Sequence, residues 1–300
     1  MRRSILLCLA IGWLTAAVPS AWTQQDSEEV EKALEEIKKV GGKIERDLKE
    51  KGKPVVAIDF TGSMVTDATL VHLKAIPTLK KVVLRETKIT DNGMKHIQEL
   101  PKLQSLDLRK TRLTDDGMEF LKDLIELQEL DVSHTDMSNL APRNFKGMVK
   151  MRNLNLANTP VSNSSIDYLK DMKQLNTLNL RDTRIGDTSL DVIKDLFRIQ
   201  YLDLGNTRVG KDGITQLKEL YKLHTLDLRG TQVDDATLEY FKKALSLRII
   251  YLNGTAITDK GLEHLKVLRN LEEVYLNVTK VTTAGAKEFQ RTLPRTKVVY

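Results

Sequence analysis

The sequence contains five histidines and one cysteine, the residue types that most often bind metals or act as nucleophiles. His72, His96 and His264 recur at one position of a repeated pattern, and two imidazoles one repeat apart could share a metal ion. A zinc site needs three or four ligands, so surface histidines are the simpler interpretation. The chain has no phosphate-binding glycine loop, no GxSxG and no HExxH motif. We therefore predict no metal site, no cofactor and no enzyme activity.

A second group of side chains is suited to binding rather than to catalysis. Tyr251 and Tyr275 are each followed two residues later by an asparagine, Asn253 and Asn277. Tyrosine and arginine dominate protein-binding hot spots, because they combine a large contact area with polar groups. The predicted partner-binding residues are Tyr201, Arg229, Ile249, Tyr251, Asn253, Tyr275 and Asn277.

The predicted partner-binding residues all lie in a repeated sequence, whose strands and helices must position them. From Val55 to Pro294 the chain consists of ten units of 24 residues without insertion or deletion. Positions 4 and 6 of each unit are apolar with a polar residue between them, which predicts a short strand. Position 9 is threonine in nine units and Ser63 in the first, and we interpret these hydroxyls as structural partners for the turn backbone. Thr-Asp at positions 12 and 13, as in Thr90-Asp91, predicts the start of a helix.

One unit cannot bury its apolar residues alone, whereas stacked units can. Parallel strands joined by right-handed crossovers place all strands on one side and all helices on the other. The predicted fold is an α/β solenoid, an arc with ten parallel strands on the concave face and helices on the convex face. Positions 3, 5 and 7, which hold the predicted partner-binding residues, then point outward from the concave face.

Charged residues fill positions 5 and 7 in the middle of the arc. Asp107 lies two residues from Arg109, and Asp227 lies two residues from Arg229. We interpret this stripe as solvated charges that neutralise one another. Acidic columns could also attract calcium, but the interleaved arginines oppose it.

The pattern LxxLxLxxTxITDxGLxxLxxL, nearly complete in LRIIYLNGTAITDKGLEHLKVL, resembles the leucine-rich-repeat family. It is most similar to the subclass common in secreted bacterial repeat proteins, which has threonine where asparagine is more usual. The resemblance covers residues 55–300. It implies a horseshoe or arc that presents a binding surface, normally for proteins.

The two ends of the array differ from the units. We predict that residues 24–54 form an N-terminal cap helix and connecting segment, with a capping box at Asp26 and Glu29. Residues 295–300 are predicted to start an eleventh strand, with Val298 and Tyr300 in buried positions. An open strand edge can pair with another chain, so the C-terminal edge could also mediate self-association.

Residues 1–23 have the layout of a secretory signal peptide, with two arginines and then a short apolar run. The alternative is an uncleaved anchor, but the run is shorter than the roughly 20 residues of a spanning helix. We expect an exported protein in the periplasm, at the cell surface or outside the cell, with no membrane insertion after cleavage. The whole chain has a net charge of +6, which is too mild to predict binding to nucleic acid or to an anionic membrane surface.

Two functions remain open from the sequence. The first is a non-catalytic scaffold of the cell envelope or exterior that binds a protein on its concave face. The second is a module for wall or extracellular polysaccharide, in which the tyrosine rings would stack on sugars. Tyr251 and Tyr275 fall in neighbouring strands, about 4.8 Å apart, which is close for successive sugar rings.

Overall fold

The computed structural model describes residues 24–300, and the predicted signal peptide lies outside them. The described chain forms one sheet of 12 strands whose order along the sheet is their order in the sequence. All pairs from β2 to β12 are parallel, while β1 pairs antiparallel with β2. The strands are β1 (Lys43–Arg46), β2 (Val55–Asp59), β3 (Lys81–Val83), β4 (Ser105–Asp107), β5 (Glu129–Asp131), β6 (Asn153–Asn155), β7 (Thr177–Asn179), β8 (Tyr201–Asp203), β9 (Thr225–Asp227), β10 (Ile249–Tyr251), β11 (Glu273–Tyr275) and β12 (Lys297–Val299).

In each unit the chain returns from one strand to the next through a short helix, as the sequence predicted. The α-helices are α1 (Gln24–Lys39), α2 (Asp67–Leu70), α3 (Asp91–Gln98), α4 (Asp115–Glu119), α5 (Asn163–Ile166), α6 (Leu190–Ile193), α7 (Lys211–Ile214), α8 (Asp235–Leu238), α9 (Asp259–Leu265) and α10 (Thr283–Thr292). Most units add or substitute one 3-10 turn, at Val71–Ala75, Ala141–Phe145, Asp167–Leu169, Asp187–Ser189, Thr215–Glu219 and Glu239–Lys243. None of the described helices is both long enough and apolar enough to span a bilayer.

The core lies between the strands and the helices and runs through every unit. The apolar side chains at positions 4 and 6 are at most 2% exposed in all ten units. One continuous cluster of buried side chains extends from Leu34 in α1 to Leu293 after α10. Residues 24–300 therefore share one continuous hydrophobic core.

The turn after each strand has one conformation in all units. Position 8 has a positive φ from Gly62 to Val278. The threonine hydroxyl at position 9 then donates to the carbonyl oxygen of position 6, at 2.5 to 2.8 Å in nine units. The structural interpretation of the threonine column is confirmed, because these hydroxyls replace partners that the backbone loses where it leaves the sheet.

Both ends differ from the sequence-based expectation. The N-terminal segment contributes β1, so the sheet has more than ten strands and is not entirely parallel. Helix α1 is already formed at Gln24, so Asp26 lies inside the helix rather than at its N-cap. At the other end β12 pairs with β11, and Val298 packs against the core. Tyr300 is 46% exposed, so its predicted burial was wrong: no described unit covers its outer side.

Candidate concave-face binding site

Four of the predicted partner-binding residues lie in strands β8, β10 and β11, and Arg229, Asn253 and Asn277 lie two residues after the ends of β9, β10 and β11. Tyr201 and Ile249 stand at position 3, Tyr251 and Tyr275 at position 5. The register pairs Tyr251 directly with Tyr275 and places Thr225 between Tyr201 and Ile249. All seven predicted side chains are partly buried, which is expected of residues that stand on a sheet surface.

The centre of the site is an aromatic row held between two cations. The rings of Tyr251 and Tyr275 stack with their centroids 4.6 Å apart and their planes 18° from parallel. The guanidinium of Arg229 lies 4.9 Å from the Tyr251 centroid, and the Lys297 ammonium lies 5.7 Å from the Tyr275 centroid. Because these four side chains come from successive strands, each ring has one face against its neighbour ring and one against a cation. Lys297 was missed from the sequence because it lies in the truncated eleventh unit.

A buried carboxylate fixes Arg229 in this row. The Nε of Arg229 donates to both carboxylate oxygens of Asp227, at 2.9 and 2.8 Å, and Nη2 donates to Oδ2. Asp227 itself is fully buried, and its Oδ1 also accepts the backbone N–H of Arg229 at 3.0 Å. The hydrogen bond with Asp227 raises the pKa of Arg229, so the cation over Tyr251 is permanent.

Two further ionisable side chains lie beside this ion pair, the buried Asp203 and the partly buried Tyr201. Asp203, on the strand next to Asp227, is 3% exposed, and burial followed by repulsion from Asp227 raises its pKa to about 6. Tyr201 is covered in the same cluster, and its burial raises the pKa of its hydroxyl to about 12. The charges of this stripe do neutralise one another, but the prediction that they are solvated was wrong at Asp203 and Asp227.

The other polar groups of the site are only partly paired. Asn253 Nδ2 donates to Asn277 Oδ1 at 2.9 Å, while Asn253 Oδ1 has no hydrogen-bond partner among the described residues. Tyr275 donates its hydroxyl to Glu273, and this bond raises its pKa to about 12. The Tyr251 hydroxyl makes no hydrogen bond within residues 24–300, so it can donate to a partner.

A shallow basin of about 320 Å³ lies in the middle of the concave face, between β3 and β8, and ends at Tyr201. Arg109 crosses its floor and contacts Asp107 at 2.7 Å and Asp131 at 3.3 Å. The amide of Asn155 is also used inside the sheet, since it donates to Asp131 at 2.9 Å and accepts from the Ala157 N–H at 3.1 Å. The basin's charged groups are therefore largely satisfied by one another.

Position 5 has a structural role that the sequence did not reveal. In seven units its side-chain oxygen accepts the backbone N–H of position 7, at 2.8 to 3.1 Å. The tyrosines of β10 and β11 replace this acceptor, so the last units give up a turn bond for aromatic surface. Within the described part of the chain, no cluster of three or more histidine, cysteine or acidic side chains could hold a metal ion.

Known proteins share the repeat pattern and the fold of this chain. A family model described as leucine rich repeat matches residues 101–161. The matched segment therefore has the leucine-rich-repeat pattern, and the other units share its arrangement of strands and helices. Internalin C2 of Listeria monocytogenes is 25% identical, with 73% of this chain and 84% of that chain covered and a TM-score of 0.56. No curated protein sequence matches the chain.

Two other solved leucine-rich-repeat structures share the fold. A leucine-rich-repeat protein of Leptospira interrogans is 16% identical, with 77% of this chain and 62% of that chain covered and a TM-score of 0.59. The Arabidopsis receptor kinase HAESA, in complex with the peptide hormone IDA and the co-receptor SERK1, is 18% identical with a TM-score of 0.64. HAESA matches 86% of this chain, but the chain spans only 46% of the HAESA chain. The predicted fold class, a leucine-rich-repeat arc, is confirmed.

Proposed function

We propose that the protein is a non-catalytic scaffold of the cell envelope or exterior that binds a protein on its concave face. The observation that carries this proposal is the row Arg229–Tyr251–Tyr275–Lys297, in which stacking holds two aromatic rings in place before any partner arrives. Rigid aromatic side chains lose little conformational entropy on binding, so their contact area converts efficiently into affinity.

The surroundings of the row also favour a protein partner. The free Tyr251 hydroxyl offers a donor, and the partly buried Asn277 amide adds a polar contact. Ile249 adds an apolar contact beside them, which gives the mixture of apolar centre and polar rim found in protein interfaces. The HAESA complex, in which a leucine-rich-repeat chain holds a peptide hormone, supports the same use of this fold.

A polysaccharide ligand is the weaker alternative. Sugar rings bind tyrosine by stacking on an open ring face, whereas both faces of Tyr251 are occupied, by Arg229 and by Tyr275. A sugar would have to break the row or use the basin, whose polar groups already have partners. Reproducible hits on a glycan array that disappear in Tyr251→Ala/Tyr275→Ala would reverse this preference.

The test is an affinity capture from envelope extract with immobilised residues 24–300. The wild-type chain is compared with Tyr251→Ala/Tyr275→Ala and with a matched control, Met64→Ala/Leu140→Ala, whose exposed side chains lie outside the strands. We expect the wild type and the control to retain the same protein from the extract. The concave-face variant should retain at least about tenfold less of it, because loss of a binding hot spot costs more than about 1.4 kcal/mol of binding free energy. Equal retention by all three chains would reject the site.

A further inference from the structure

A second surface lies where each unit returns from its helix to the next strand. We define this return edge as positions 20, 21, 23, 24 and 2 of the ten units, which are the positions around the buried residues 22 and 1. These 50 positions hold 19 basic and 7 acidic residues, a net charge of +12, whereas the whole chain has only +6. The rest of the molecule is therefore net negative, and the mild overall charge conceals a strongly basic edge.

The basic charge is concentrated on the helix ends. Position 20 is lysine in eight of the ten units. Four of these lysines pair with an acid at position 17 of the same helix, for example Lys242 with Glu239 at 2.9 Å. When position 17 is included, the net charge of the surface is still +10. Lys218, Lys222 and Lys243 form no ion pair with any described residue.

An apolar row runs along the middle of this edge at position 23. Phe197, Tyr221 and Leu245 occupy it in three successive units, with exposed fractions of 57%, 57% and 58%. Lys173 interrupts the row in the next unit toward the N-terminus, and Val149 and Ile125 continue it beyond, at 50% and 53%. With roughly 5 Å between units, the row is roughly 24 Å long. Exposed apolar side chains in line are uncommon on a soluble surface and mark a site of interaction.

The C-terminal end of the row opens into a basic cavity of about 410 Å³, lined by His224, Arg248, Arg269, Glu272 and Arg295. Arg248 contacts Glu272 at 3.2 Å, and Arg269 donates to the carbonyl oxygen of Thr292 at 3.3 Å. Arg295 makes no ion pair within the described chain, so the cavity keeps an excess of positive charge. The cavity adjoins the apolar row, since Asn270 Nδ2 donates to the Leu245 carbonyl at 2.9 Å. Its size and charge suit a phosphate-bearing group.

We infer that the return edge docks on a bilayer that contains acidic phospholipids, with Phe197, Tyr221 and Leu245 entering the interface and the cavity taking a headgroup phosphate. Aromatic and leucine side chains between lysines and arginines are the combination that binds such interfaces, where each part alone is weak. A nucleic acid would use the lysines but leave the aliphatic members of the row, Leu245, Val149 and Ile125, exposed to water. The docked protein would lie on its edge, which leaves the concave face open to a partner.

Flotation of residues 24–300 with vesicles tests this inference. Vesicles of phosphatidylcholine alone are compared with vesicles in which half of the lipid is phosphatidylglycerol. We expect binding only to the acidic vesicles, and a loss of at least about tenfold between about 0.1 and 0.5 M NaCl because salt screens the lysines. The absence of binding to acidic vesicles at low salt would overturn the inference.

Two triple variants separate insertion from simple charge attraction. Phe197→Ser/Tyr221→Ser/Leu245→Ser should weaken binding to acidic vesicles at least about tenfold, because less apolar surface enters the interface. The matched control Met64→Ser/Leu140→Ser/Val278→Ser removes three exposed apolar side chains elsewhere and should bind as the wild type does. Equal binding by the row variant and the wild type, with equal binding to heparin, would instead show a general polyanion surface and would also overturn the inference.

Discussion

Asp203 has a pKa well above the usual value for an aspartate. It is buried beside Asp227, and these two causes raise its pKa from 3.8 to about 6. Its folded pKa is therefore above the unfolded value, so the protonated form stabilises the fold. This contribution to the free energy of unfolding is fully present below about pH 4 and is lost as the pH rises through about 6.

Asp203→Asn should remove this dependence. The amide stays neutral and keeps the acceptor for the Gly205 N–H, which lies 2.9 Å from Oδ1. We expect the wild type to lose about 2 kcal/mol of unfolding free energy relative to the variant between pH 4 and pH 7. Urea unfolding of both chains at several pH values measures this difference. A difference that does not change with pH would contradict the burial of a titrating carboxyl.

Val278 is the one β-branched residue at position 8, where all ten units have a positive φ. Its φ is +59°, and its side chain is 88% exposed, so no packing offsets the cost of a β-branched residue in the left-handed region. Val278→Gly should increase the unfolding free energy by about 1 kcal/mol. Val149→Gly, at an exposed valine with negative φ, should decrease it by a similar amount. Thermal unfolding of both variants and of the wild type measures these differences. If both substitutions change the unfolding free energy in the same direction, Val278 is not strained.

Residue types could be predicted where one unit determines them and not where neighbouring units do. The threonine at position 9 bonds within its own turn, so its role was evident from the repeat. The raised pKa of Asp203 depends on its burial and on charged residues of the two neighbouring units, Asp227 above all and then Arg181 and Arg229. A pattern read one column at a time contains no signal for such a cluster.

At the scale of the element, the Thr-Asp motif joins units as well as starting helices. Asp91 accepts the N–H of Thr114 in the next unit at 2.9 Å and its hydroxyl at 2.7 Å. The threonine hydroxyl also caps its own helix, by accepting the Asp116 N–H at 3.3 Å. The prediction of a helix start was correct but incomplete, because the aspartate reaches across 23 residues.

The glycine at position 15 is explained by the same aspartate. A Cβ on Gly117 would lie 2.3 Å from Asp91 Oδ1. Where position 13 is asparagine, position 15 of the next unit is serine, and the hydroxyl of Ser189 donates to Asn163 Oδ1 at 2.8 Å. Positions 13 and 15 of successive units are therefore matched as Asp–Gly in five pairs and as Asn–Ser in two. Asp115 is followed in the next unit by Ala141, where a 3-10 turn replaces the α-helix.

A double-mutant cycle tests this contact. Gly117→Ala should destabilise the wild type, because the new methyl group meets Asp91. In the Asp91→Ala background the same change should stabilise by up to about 1 kcal/mol, since alanine favours a helix more than glycine does. Asp91→Ala alone should cost about 1 to 3 kcal/mol, because a partly buried N–H loses its acceptor. Equal effects of Gly117→Ala in both backgrounds, measured by urea unfolding, would disprove the contact.

Strand β1 was missed for a local reason. Lys43–Arg46 contains one apolar residue, Ile44, between charged ones, so its alternation is too short to recognise. The strand closes the N-terminal edge of the sheet by antiparallel pairing with β2. The backbone groups of such an edge need hydrogen-bond partners, and the antiparallel strand β1 supplies them for β2.

At the scale of the whole molecule, the period of 24 residues was sufficient to predict the arc. Every unit has the same length, so strand register, core and turn follow from one copy. The composition of the candidate site was predicted in part: the sequence indicated the tyrosines and Arg229, but not Lys297 or the row in which successive units arrange the four side chains. The return edge was overlooked because net charge averages over faces that the fold separates.

The most direct test of the central claim is site-specific crosslinking. The only cysteine is Cys8, so residues 24–300 are free of thiols and accept one introduced cysteine at a time. Thr225→Cys places a photoreactive label on the concave face between Tyr201 and Ile249, and Lys260→Cys places it on the helical face. In envelope extract, we predict one protein adduct from Thr225→Cys that Tyr251→Ala/Tyr275→Ala abolishes, and none from Lys260→Cys. The same adduct from Lys260→Cys alone would contradict binding on the concave face.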